Sequence, residues 1–138
     1  MTEHKDKILS DIGALTHQMK VNGLFQRAAQ LYQQGHMEEA ENLARQVLEE
    51  QPDHADGNHL LGHIATQQGQ YSRACRLLAN AISINPGQSS YYLHYGIALH
   101  KDGNNEDALA ALRKASEIKP DFPEPIPWTV QIHFRSRE

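Results

Sequence analysis

Apolar and small residues recur along this chain at helical spacing, in short stretches separated by regular punctuation. Ile8, Ile12, Leu15 and Met19 follow steps of four, three and four, which places them on one stripe of a helix. Asn58, Leu61, Gly62 and Ala65 form a second stripe, and Tyr71, Ala74, Leu78, Ala81 and Ile82 a third. The breaks between stretches are periodic. Gly35, Gly69 and Gly103 stand 34 residues apart, as do Pro52, Pro86 and Pro120, and Ala40, Ala74 and Ala108. Glycine releases a chain from a helix through the left-handed conformation at little steric cost. Proline disfavours helix in the residue before it. Each period therefore predicts two helices joined by a tight turn and closed by a proline, with Asp53 and Asp121 as expected caps of the helices that follow.

This pattern resembles the tetratricopeptide repeat family, whose unit is a helix–turn–helix of about 34 residues. The resemblance covers residues 21–54, 55–88 and 89–122. It rests on Leu24, Ala28, Leu31, Ala40, Ala44, Val47 and Pro52 in the first unit. In the second it rests on Asn58, Leu61, Gly62, Ala65, Ala74, Leu78, Ala81 and Pro86. Tyr92, Tyr95, Gly96, Leu99, Ala108, Leu112, Ala115 and Pro120 carry it in the third. The first unit departs most, with Arg27 where the family places a large apolar residue. The fold implied is all-α, a right-handed superhelical array of hairpins.

A stacked array leaves an apolar face at each end, so the ends need covering. Residues 1–20 read as an amphipathic helix. A cap on the first unit is preferred to a dimer seam, because fewer than three heptads make a weak coiled-coil signal. Residues 123–138 depart from the repeat. Pro123 suits a first helical turn, but Pro125 and Pro127 would break anything longer. Beyond them Ile126, Trp128, Val130, Ile132 and Phe134 alternate with other residues, a strand signal. An extended tail that drives self-association, giving a homodimer, is the expectation, with a helix from Trp128 as the alternative because Trp128/Ile132 and Val130/Phe134 are i, i+4 pairs.

Composition narrows the function without naming it. Lys+Arg 13 against Asp+Glu 17 gives a net charge of −4, which disfavours binding to nucleic acid. The single cysteine, Cys75, fits a reducing compartment and reads as a structural thiol. With no apolar run long enough to span a membrane and a charged start to the sequence, a cytoplasmic location is expected. No phosphate-binding loop, nucleophile elbow or HExxH motif occurs, so no catalytic residue and no cofactor is expected. His59 and His63 lie four apart with Asp56 a turn earlier, a spacing that could reach one zinc ion. A cysteine-poor chain argues against a closed structural site, and no metal is expected.

By the resemblance, the first helices line a concave groove. Its expected positions are Asn22, Phe25, Ala29 and Gln33, then Asp56, His59, His63 and Gln67, then Ser90, Leu93, Ile97 and Lys101. That mixture suits a peptide or short helix with apolar anchors. The family's carboxylate clamp is missing, since Phe25, Ala29, Leu60, Ser90 and His94 occupy its positions. The asparagine ladder is missing too, with Gln26, Leu60 and His94 in its place. A non-enzymatic adaptor that binds a protein partner is the leading expectation. Two alternatives stand beside it. HLLGHIATQQGQY and AISINPG resemble repeats that precede catalytic domains in bacterial glycosyltransferases and sulfotransferases, and the three-unit size is similar to type III secretion chaperones.

Overall fold

The computed structural model describes residues 2–119, which form six α-helices. They are α1 (Thr2–Gln33), α2 (Met37–Glu50), α3 (Ala55–Gln67), α4 (Tyr71–Ile84), α5 (Ser89–Lys101) and α6 (Asn105–Ile118). No strand occurs among the described residues. The tail residues Ile126, Trp128, Val130, Ile132 and Phe134, and the expected cap Asp121, lie outside them. The chain divides into two compact units, Met1–Pro52 and Asp53–Glu138. The first holds the α1–α2 hairpin, the second the hairpins α3–α4 and α5–α6.

The periodic glycines make the hairpin turns. Gly35, Gly69 and Gly103 have φ of 85°, 80° and 91°, the left-handed region in which a side chain is strained. Each is flanked by the same two hydrogen bonds. Gly69 N–H donates to the Thr66 carbonyl at 3.1 Å and Gln70 N–H to that of Ala65 at 2.9 Å, the paired arrangement that closes a helix end. The same pairing recurs at Gly35 and Gly103. The second helices end where Gln51 and Asn85 precede Pro52 and Pro86. One cap differs from expectation. His54, not Asp53, caps α3, its Nδ1 accepting from Gly57 N–H at 2.8 Å.

Small residues set the hairpin spacing. Gly62 and Gly96 are buried, and a Cβ added to them would fall 2.8 Å from Leu78 Cγ and 2.7 Å from Leu112 Cγ. The glycines let α3 meet α4, and α5 meet α6, with a leucine filling the gap. One period earlier the equivalent positions are Ala28 and Ala44, both fully buried. The first hairpin thus uses two medium side chains where the later ones use none and a large one. In the second unit Ala65, Ala74, Leu78 and Ala98 form a core across α3, α4 and α5, with Cys75, Leu77 and Tyr95 packed against it. Cys75 is half-buried there, and burial, with Asp102 adding, pushes its thiol up.

The N-terminal segment is not the expected cap. α1 runs unbroken through residue 20, and Ile8, Leu9, Ile12, Leu15 and Met19 are exposed, between 45% and 65%. No Pro interrupts it, and Gly13 and Gly23 stay within the helix, so the first half continues the helix that packs on α2.

Candidate functional site

In the second unit, α3 and α5 lie side by side and share a face rich in polar rings. Asp56, His59 and His63 come from α3 at steps of three and four, hence on one side of it. α5 contributes Tyr91 and His94. His59 Nε2 and His94 Nδ1 are 2.6 Å apart. The rings of His63 and His94 stack at 4.4 Å between centroids, and those of His59 and His94 at 4.8 Å. The Tyr91 hydroxyl donates to Asp56 Oδ1, and the Tyr91 ring sits 4.7 Å from that of His59. Beside the cluster opens a cleft of about 150 Å³ lined by His63, Thr66, Gln67, His94, Ile97 and Lys101. The Thr66 hydroxyl is turned inward, donating to the Gly62 carbonyl at 3.0 Å.

Electrostatics follow from this crowding. Burial, with His63 adding and Asp56 opposing, lowers His59 to about 4. Burial together with the two neighbouring imidazoles lowers His94 to about 3. Burial and the hydrogen bond to Asp56 push Tyr91 up. At neutral pH the His59–His94 pair is therefore uncharged and shares one proton between its facing nitrogens, one donating and the other accepting. The face combines neutral hydrogen-bonding rings, the apolar Ile97 and the cation Lys101. Among the described residues, no group of three or more His, Cys, Asp or Glu is disposed to hold a metal ion. The carboxylate of Asp56 is engaged by Tyr91, and His59 by His94.

Of the positions expected in the groove, Asp56, His59, His63, Gln67, Ile97 and Lys101 lie on or beside this face. Ser90 is half-buried near the start of α5. Leu93 is not on the open face. It is buried with Leu112 and Ala115, because α5 turns that side toward α6. In the first unit Asn22 is exposed and accepts from Gln18 at 3.0 Å, Phe25 and Ala29 are half-buried, and Gln33 ends α1. His94 and Tyr91 were missed as members of the cluster. A signal existed: both inter-helix bonds join residues 35 apart, one more than the period.

Two overlapping matches to the family model described as tetratricopeptide repeat cover residues 31–93 and 65–125. The chain belongs to the tetratricopeptide repeat family. Human tetratricopeptide repeat protein 7B is 28% identical over 112 residues, which are 81% of this chain and 13% of that protein. A mutant O-GlcNAc transferase of Thermobaculum terrenum is similar in structure, with a TM-score of 0.75 and 29% identity over 77% of this chain and 20% of that one. The chain thus spans about a fifth or less of the length of these two proteins. The Yersinia enterocolitica type III secretion chaperone SycD, solved in complex with a peptide of the translocator YopD, gives a TM-score of 0.75 at 18% identity, covering 86% of this chain and 95% of that one. At that identity the likeness is one of fold.

Proposed function

We propose that this chain is a non-enzymatic protein-interaction module, and that the α3/α5 face of its repeats receives an extended or helical segment of a partner protein. The observation that carries this reading is the cleft between His63 and Lys101. It offers an apolar side chain, two imidazole rings, an amide and a single cation within reach of one another. Such a set suits a peptide backbone with an apolar anchor. A chaperone of the same fold holding a translocator peptide makes the reading consistent with what repeat arrays of this size do. Capture of partners from lysate by the full chain, against a variant carrying His63→Ala, Ile97→Ala and Lys101→Ala, tests it. Partners lost only with the triple change place binding at the cleft. Identical capture moves it elsewhere.

The 29% identity to part of an O-GlcNAc transferase favours a second reading. In it the chain acts in trans, presenting substrates to a glycosyltransferase. Adding the purified chain to such an enzyme would then raise turnover of protein substrates and leave that of short peptides unchanged.

A further inference from the structure

α1 has two apolar faces, and they point in opposite directions. In its C-terminal half Val21, Ala28 and Leu31 are buried where the helix packs on α2. The side that meets α2 is also marked nearer the N-terminus, where His17 Nδ1 and Lys20 Nζ approach Glu50 at 3.6 Å and 3.1 Å. With 3.6 residues per turn, the Ile8–Ile12–Leu15–Met19 stripe is centred about 170° from the Val21–Leu24–Ala28–Leu31 face. A longer α2 would therefore not cover it. All of residues 2–20 are exposed. A helical segment of this length with no packing is marginal in water, and its stripe calls for an outside partner.

We propose that this partner is the same stripe of a second copy, and that α1 pairs with α1 in antiparallel orientation. The inference is independent of the α3/α5 cleft. Steps of four, three and four give the seam of a two-helix pair. Extended in both directions, the same pattern reaches Lys5 at one end and Asn22 at the other. A parallel pair would set Lys5 against Lys5 of the other copy, a like-charge contact. The antiparallel pair sets Lys5 against Asn22, Ile8 against Met19 and Ile12 against Leu15, leaving polar ends and four apolar layers. Beside the seam Leu9 meets Thr16 and Asp11 meets Gln18, so no like charges face each other. A two-fold contact of this kind needs only one self-complementary patch. Covering five side chains that are 45% to 65% exposed, on both copies, buries on the order of 1,000 Å², the lower limit for a specific interface.

Sedimentation velocity of the full chain over a micromolar to submillimolar series tests this. The expected result is a concentration-dependent rise to twice the chain mass. Ile12→Glu with Leu15→Glu should hold the chain at the monomer mass while the repeats keep their cooperative urea transition, since both side chains face away from α2. Trp128→Ala with Phe134→Ala should dimerise as the native chain does. In a Cys75→Ser background, chains with Lys5→Cys and chains with Asn22→Cys should form disulfide-linked dimers when mixed, and none when separate. A native chain that stays monomeric, a stripe variant that still dimerises, or a tail variant that does not would each overturn the proposal. Disulfide-linked dimers from Lys5→Cys chains alone would overturn the antiparallel orientation.

Discussion

Identical substitutions should have opposite effects depending on what the glycine touches. At Gly62 a new Cβ meets Leu78 Cγ at 2.8 Å, so Gly62→Ala should cost about 1–3 kcal/mol through overpacking. Gly96→Ala should cost at least as much, because its Cβ also meets the Ala108 carbonyl oxygen at 3.1 Å. Gly23 lies inside α1 with nothing near its missing Cβ, and Gly23→Ala should stabilise by about 0.5–1 kcal/mol. Urea denaturation of the three variants distinguishes these outcomes. The imidazole pair predicts the pH response. His59 and His94 titrate at about 4 and 3 in the folded chain against 6.5 for the free group, so the unfolded chain binds more protons between these values. With respect to this pair, stability should therefore be constant well above pH 6.5, fall steadily as pH drops from about 6.5 toward 4 and 3, and level off below that. His94→Gln should flatten that fall, read as the urea midpoint at pH 7 and pH 5.

Much of each element was legible in the sequence, and the reasons are local. Gly35, Gly69 and Gly103 announced the turns because only a left-handed residue closes a helix in that way, and Pro52 and Pro86 ended the second helices by sterics alone. What escaped was rotation about a helix axis. Leu93 was expected on the open side of α5 and is buried with Leu112, while His94, one residue on, joins the ring cluster. A single position is about 100° of rotation, and a repeat pattern read without its neighbours does not resolve that. The cap of α3 moved likewise from Asp53 to His54, where the imidazole nitrogen reaches Gly57 N–H as an oxygen would. Hydrogen exchange offers a check at this scale. In the Ile12→Glu/Leu15→Glu variant, amides of residues 5–16 should exchange much faster than those of residues 24–31, which α2 covers.

At the scale of the whole second unit, the hairpins α3–α4 and α5–α6 share a core drawn from α3, α4 and α5, so one repeat leans on the next. The all-α hairpin fold was therefore readable from periodicity. The candidate site was readable only in part, since its His59 and His63 share a helix but its other half comes from α5. The stripe on residues 8–19 was visible as a stripe. It is exposed where a cap on the first unit was expected, because its phase relative to the buried face follows only once α1 is known to run unbroken through residue 20. In dilute solution, where the chain is monomeric, removing residues 1–16 should shift the urea midpoint little, because residues 2–16 are exposed and the hydrogen bond from Thr16 to the Ile12 carbonyl is local to α1.

The two opposed faces of α1 make its length in residues a tuning parameter. Two extra residues inserted between Met19 and Val21 would twist the front half through about 200° and lift it about 3 Å. Ile8, Ile12, Leu15 and Met19 would then line up with the side that already meets α2, and the helix would carry one continuous oily ridge. Evolution or an engineer could thus change which surface this segment addresses by indel alone, with every side chain left as it is.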